Sequence, residues 1–205
     1  MSDSAGGSFL LPPLALYIHI PWCVRKCPYC DFNSHAAGPS LPEEEYVDAL
    51  LADLDADQAH THGRELISIF FGGGTPSLML PETVDTVLRA ARAAWGFAND
   101  IEITLEANPT SVERTRFQGF ADAGVNRLSM GIQALNDADL RRLGRMHSVA
   151  EARAAFDVAR SCFDRVSFDL IYARPNQSVA AWEAELRRAL VLAPPSAQRT
   201  PWMRR

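Results

Sequence analysis

Lysine is almost absent: Lys26 is the only one in 205 residues, and the rest of the positive charge is arginine, which reads as compositional bias rather than function. There is no basic excess either. A net charge of −5 argues against nonspecific nucleic-acid binding as the main activity. No apolar run reaches the ~18 uninterrupted residues of a membrane-spanning helix. Residues 1–13 carry a short Phe-Leu-Leu patch with no basic region before it, so they are not read as an export signal. Cysteine is sparse, at four residues. Cys162 stands alone at the end of a helical pattern and reads as a buried structural thiol. The other three cluster, and without an export signal that clustering implies a reducing, cytoplasmic setting.

What the chain does have is the composition of a globular domain. At 47% apolar and 22% charged residues, a chain of this length supports one domain with a sizeable core. Short apolar strands alternate with amphipathic helices. Strands are predicted over residues 16–20, 66–71, 101–106, 126–130 and 165–171. Helices are predicted over 42–60, 81–95, 111–123, 137–143, 149–162 and 179–192. The first has Glu43, Glu44 and Glu45 at the positive end of its dipole, and the third stops at Gly124. At least five β–α units in series predict an α/β fold with a parallel sheet, as a barrel or a doubly wound sheet. Ligands and catalytic groups collect at the C-terminal ends of the strands in such folds. The cysteine loop, residues 72–75, Glu106, Gln133 and Asp169 all fall there.

Cys23, Cys27 and Cys30 follow the first strand with spacing Cys-x3-Cys-x2-Cys, and no fourth cysteine lies nearby. A closed zinc site takes four ligands, so zinc would need His19 or His35 as the fourth. A fully protein-held cubane also takes four cysteines. Three leave one iron of a 4Fe-4S cluster open to an exogenous molecule. Arg25 and Lys26 put positive charge within the loop, which favours thiolates, although solvated loop charges account for them equally well. Gly72, Gly73, Gly74 and Thr75 end the second strand. Lacking a Cβ, glycine lets backbone amides and carbonyls come close to a ligand. The lack of a lysine after the glycines excludes a phosphate loop. Glu106 ends an apolar strand, where a buried carboxylate needs partners: hydroxyl or amino groups of a cofactor, or a salt bridge to Arg127 or Arg145.

Six segments form an ordered series. They are Tyr-Ile-His-Ile-Pro-Trp-Cys-x3-Cys-x-Tyr-Cys-Asp-Phe (17–32), Phe-Phe-Gly-Gly-Gly-Thr-Pro-Ser (70–77) and Leu-Glu-Ala-Asn-Pro (105–109). Then come Asn-Arg-Leu-Ser-Met-Gly-Ile-Gln-Ala-Leu (126–135), Leu-Gly-Arg-Met-His-Ser (143–148) and Phe-Asp-Leu-Ile-Tyr (168–172). The series resembles the oxygen-independent coproporphyrinogen III oxidase family of radical S-adenosylmethionine (SAM) proteins, over roughly residues 15–193.

The resemblance implies a partial (β/α)6 TIM-type barrel, of which about five units are present. It implies that Cys23, Cys27 and Cys30 hold a 4Fe-4S cluster whose open iron binds SAM by its amino and carboxylate groups. Reduction of that cluster can cleave SAM to a 5′-deoxyadenosyl radical. The resemblance further implies that Gly73, Gly74 and Thr75 take the methionine part of SAM, and that Tyr29 lies near the adenine. Tyr17, Glu106, Gln133, Arg145 and Asp169 are the remaining implied contacts. Gln133 offers a donor and an acceptor, Arg145 a planar fork suited to a carboxylate, and Asp169 an acceptor. Aromatic core packing accounts for Tyr17 as readily. One departure follows Asp169, where Ala173-Arg174 replaces the Gly-Leu of many relatives.

Within the family, authentic oxidases carry a further cysteine two positions after the third; here Phe32 occupies it. That feature resembles a branch described as heme chaperones, which bind heme and deliver it to heme proteins. The expected function is therefore heme trafficking, with heme as cargo, a heme-accepting protein and an electron donor as partners, and a possible homodimer. The alternatives are oxidative decarboxylation of porphyrinogen propionates and a zinc-stabilised structural module. Residues 1–14 are expected to be disordered and residues 15–193 to form the core domain. The proline-broken stretch 194–205 reads as an irregular, non-native tail or as an ordinary disordered one. The family's C-terminal domain is expected to be missing from so short a chain.

Overall fold

The computed structural model describes residues 11–61 and 63–192. Of the segment 1–14 expected to be disordered, residues 1–10 lie outside the described residues, while Leu14 already begins the first strand; the stretch 194–205, expected to be irregular, also lies outside them. Five strands form one parallel sheet: β1 (Leu14–Ile20), β4 (Leu66–Gly73), β5 (Phe97–Ala107), β6 (Arg127–Gln133) and β7 (Arg165–Leu170). They pair in chain order, β1-β4-β5-β6-β7, with helices between them. This is the β–α series of a partial TIM-type barrel, with β1 and β7 at the edges of the described sheet. Two short strands, β2 (Trp22–Cys23) and β3 (His35–Ala36), pair separately.

The helices follow from their periodicity and caps. In α2 (Pro81–Trp95), Val84, Val87, Leu88 and Ala91 recur on one face and are buried in the core, with Pro81 in the first turn. Each of the three larger side chains contributes about 1.5–3 kcal/mol by leaving water. In α6 (Val149–Cys162), Ser148 and Glu151 form a reciprocal capping box. Helix α1 (Glu43–Gln58) buries only Leu54 fully but leans Tyr46, Val47 and Leu50 against the core. The remaining helices of the alternation are α5 (Asp137–Arg142) and α7 (Val179–Leu192). The core runs through Phe71, Ile69, Leu105, Leu128, Met130, Phe117, Phe120 and Phe156.

One predicted element differs. The continuous helix expected over 111–123 is two pieces, α3 (Ser111–Arg114) and α4 (Phe117–Asp122). The break allows Glu113 to bond Ser77 and the Asn108 amide on one side, while Phe117 and Phe120 enter the core on the other. Arg116, at the break, donates to the carbonyls of Ser77, Leu78 and Met79. Tertiary bonds outweigh the helical propensity of so short a stretch.

Candidate cofactor site

A cavity of about 470 Å³ opens at the C-terminal edge of the sheet, a size suited to a small ligand. Cys23, Cys27, Cys30, Tyr29, Gly73, Gly74, Thr75, Glu106, Gln133, Arg145 and Asp169 all line it. Of the cluster and cofactor contacts that the resemblance implied, Tyr17 alone does not. It is 57% exposed, bonds His19 Nδ1 at 3.3 Å and stacks on Phe70.

The cysteine loop is closed at its base. His35 donates its amide to the Pro21 carbonyl at 2.7 Å, and Ala37 to that of Cys23 at 2.7 Å. Lys26 Nζ donates to the carbonyls of Phe32 and Ser34 at 3.2 and 3.1 Å, so it staples the loop from within. All four cysteines are free thiols. Among the described residues no three His, Cys, Asp or Glu side chains converge as ligands of a single metal ion do. His19 is engaged elsewhere, its Nε2 donating to the Asn33 carbonyl at 2.8 Å. A cubane cluster takes each cysteine on a separate iron, and Cys23, Cys27 and Cys30 share one wall of the cavity.

The glycines serve the loop as well as the cavity. A Cβ on Gly74 would stand 2.5 Å from the Trp22 carbonyl oxygen, and one on Gly73, at φ +110°, 2.6 Å from the His19 ring. Gly74 and Thr75 donate their amides to the Ile20 and Trp22 carbonyls at 2.6 and 2.7 Å. The chain entering the cysteine loop therefore lies directly on the end of β4. Only residues without a side chain allow that approach.

Arg145 joins the two halves of the site. Its Nη1 donates to Cys27 Sγ at 3.4 Å, and its Nη2 to the Gly131 carbonyl at 2.8 Å and to Asn108 Oδ1. Its Nε is buried with no hydrogen-bond partner. Opposite are two carboxylates. Burial and the nearby Asp169 push Glu106 up to about 7, partly offset by the Gly73 amide. Asp169 is also raised by burial, against the pull of Arg127. Of the two ways to satisfy Glu106, the salt bridge to Arg127 or Arg145 is not formed among the described residues; Arg127 pairs with Glu102 at 3.8 Å instead. Gln133 takes φ +71°, a conformation non-glycine residues adopt at a cost and often at functional positions.

Several lining residues belong to the quoted segments but were given no role of their own from the sequence: Asn108, Ser129 and His147. Burial and the Arg145 charge push His147 down to about 4, so it is neutral and donates from Nε2 to the Ile132 carbonyl at 3.1 Å. Asn108 was legible only as part of the Glu-x-Asn-Pro run. An orphaned buried guanidinium N–H, paired carboxylates for hydroxyl and amino groups, and three thiols in one cavity fit a 4Fe-4S cluster with SAM.

Comparison with known proteins agrees with this chemistry. A model of the Radical SAM superfamily matches residues 17–189. The chain is 50% identical over 190 residues to a "Heme chaperone HemW" of Haemophilus influenzae, covering 90% of this chain and 50% of that protein. The Escherichia coli protein of the same name is 50% identical over 186 residues, covering 90% and 49%. Among solved structures, the coproporphyrinogen III oxidase of E. coli, a radical SAM enzyme, superposes with a TM-score of 0.79 at 30% identity, over 89% of this chain and 42% of that one. The chain spans about half the length of the curated relatives it matches.

Proposed function

The chain belongs to the Radical SAM superfamily, and from that membership we propose that it holds a 4Fe-4S cluster with SAM and serves to bind heme and hand it to heme proteins. Cys23, Cys27 and Cys30 would hold the cluster, and the open side of the cavity would take SAM. When bound, the pair supplies one-electron radical chemistry. The chain's own part is to bind and orient. Arg145 offers guanidinium donors to a carboxylate. Glu106 and Asp169 accept from hydroxyl or amino groups, and a ligand that donates to both relieves the cost of two buried carboxylates side by side. The Gly73 and Gly74 backbone closes one wall.

The observation that carries the heme reading is the mouth of the cavity. Phe32 stands there 60% exposed, in the position where oxidases of the family have a cysteine, beside Val24 at 53% and Met146 at 61% exposure. A planar apolar macrocycle suits such a rim, where Phe32 replaces the oxidases' further cysteine. The 50% identity to proteins named heme chaperones, against 30% to the oxidase structure, supports the same choice. Partners would be heme, a heme-accepting protein and an electron donor. Free thiols throughout, and no described helix long and apolar enough to cross a membrane, are consistent with a cytoplasmic setting.

The test is anaerobic reconstitution followed by hemin titration and a coproporphyrinogen assay. Expected are a reduced-cluster EPR signal that shifts on adding SAM, saturable binding of one heme per chain, and no carbon dioxide release. SAM-dependent carbon dioxide release would establish the oxidase reading instead. Tightly held zinc with no iron would establish a structural module.

A further inference from the structure

Asn108 and Glu113 both line the cavity, in an arrangement the proposed cofactor contacts leave unexplained. Glu113 is 1% exposed and has no cationic partner in an ion pair among the described residues. A carboxylate so deeply buried is costly unless its oxygens are satisfied. Here they accept from Ser77 Oγ, from the Asn108 backbone N–H at 2.6 Å and from Thr110 Oγ1 at 3.2 Å. Burial still raises its pKa, and those three hydrogen bonds oppose the rise.

Asn108 in turn faces two ways. Its Nδ2 donates to Thr75 Oγ1 at 3.1 Å, and its Oδ1 accepts from Arg145 Nη2. A guanidinium only donates, so the atom facing Arg145 must be the amide oxygen, and the orientation of the side chain follows. A Cβ on Gly131 would come within 3.4 Å of both Asn108 Oδ1 and Arg145 Nη2, so a side chain there would crowd their meeting point. With Nη2 held by Asn108 and the Gly131 carbonyl, Nη1 reaches Cys27 and Nε is left without a partner.

We infer that Asn108 is a positioning residue: anchored by Glu113, it fixes the Arg145 guanidinium against Cys27 so that the remaining donor is presented to an anionic group of the ligand. The inference rests on the SAM reading above. It assigns Asn108 no direct contact with the cofactor, although the residue lines the cavity. Glu113 acts one step further back.

The deciding experiment is a double-mutant cycle on SAM affinity, using the anaerobically reconstituted chain and scoring iron per chain for every variant. Loss of a charge-assisted hydrogen bond predicts about tenfold weaker SAM binding for Asn108→Leu. Arg145→Gln should bind at least as weakly, and the double variant no more weakly than Arg145→Gln alone, because Asn108 acts only through Arg145. Asn108→Asp keeps an acceptor for Arg145 and lets the Thr75 hydroxyl donate, so it should restore binding to within about twofold. Additive losses would mean an independent contact and overturn the assignment, as would wild-type affinity in Asn108→Leu. A wild-type chain that loads iron but ignores SAM would overturn the cofactor reading instead. In that event, or if no cluster forms, the same cycle on unfolding by urea in the cofactor-free chain decides the positioning claim. Coupling between Asn108 and Arg145 is expected, and independent effects overturn it.

Discussion

Arg145 donates from Nη1 to the sulfur of Cys27 at 3.4 Å, although 118 residues separate them in the chain. The contact depends on Gly144, where a Cβ would meet Pro28 Cδ at 2.7 Å, so the loop after α5 lies directly on the cysteine loop. A cation at that distance stabilises the more negative, reduced state of any cluster held by Cys27. Arg145→Leu is therefore expected to lower the cluster's reduction potential, by roughly 60 mV for about a tenfold change in a one-electron equilibrium. Redox titration followed by EPR reads this directly. An unchanged or raised potential would remove Arg145 from the cluster's environment.

Glu106 should make stability depend on pH in the direction opposite to a salt-bridged carboxylate. Its folded pKa is raised from 4.5 to about 7. Between those values the folded chain binds more protons than the unfolded one, so stability falls as pH rises from 4.5 through 7. Glu106→Gln removes the charge. It should stabilise the cofactor-free chain at pH 8 by about 1–2 kcal/mol, allowing for solvent screening, and leave it nearly unchanged at pH 4.5. Urea unfolding at the two pH values checks this, and a destabilised variant at pH 8 would contradict it.

Gly74→Ala is expected to cost about 1–3 kcal/mol, because its Cβ would press on the backbone carbonyl of Trp22 at 2.5 Å rather than on a movable side-chain tip. The strain falls on the chain leading into Cys23, so iron incorporation should drop along with the melting temperature. Gly38→Ala is the control, since its nearest neighbour would be at 3.7 Å. Equal melting temperatures and iron contents for the two variants would show that β4 does not constrain the loop.

The Ala173-Arg174 pair makes two opposite predictions. Ala173 sits at φ +55°, which a Cβ disfavours by about 1–2 kcal/mol, so Ala173→Gly should stabilise by up to about 1 kcal/mol after the entropic cost of glycine. Arg174 is buried and ion-paired to Glu185 at 2.5 Å, and Glu185 also accepts from the Leu135 amide at 2.7 Å. Removing the cation strands a buried carboxylate, and Arg174→Ala should cost about 3–5 kcal/mol. Denaturation curves for both variants test the pair, with the same sign of change in each as the contrary outcome.

Much of this was legible along the chain. Residues 81–95, 149–162 and 179–192 are helices at the predicted ends, because their apolar spacing repeats every three or four residues and needs no distant partner. The five strands were legible too, although β5 begins four residues before the predicted start at 101 and β6 runs on to Gln133. The stretch 111–123 has the local pattern of one helix but folds as two for the opposite reason. What breaks it is the demand on Glu113 and Arg116 from residues 77–79 and 108, which no local pattern records.

The cysteine spacing, the glycines and the strand-end carboxylates declare a chemistry by residue type alone, because thiolates, bare backbone and paired carboxylates each suit few tasks. Periodicity settles the alternation of strand and helix on equally local grounds. How those residues act was decided only when the chain folded. Arg145 was a plausible carboxylate fork in the sequence. The fold gave it a sulfur on one side, an asparagine on another and a buried, unpartnered N–H. Tyr17, equally suggestive by position, was left outside the cavity. Residue identity sets which hydrogen bonds and charges a chain can offer. Which of them meet, and which are buried long enough to matter, depends on contacts between segments far apart in sequence, and those exist only in the folded chain.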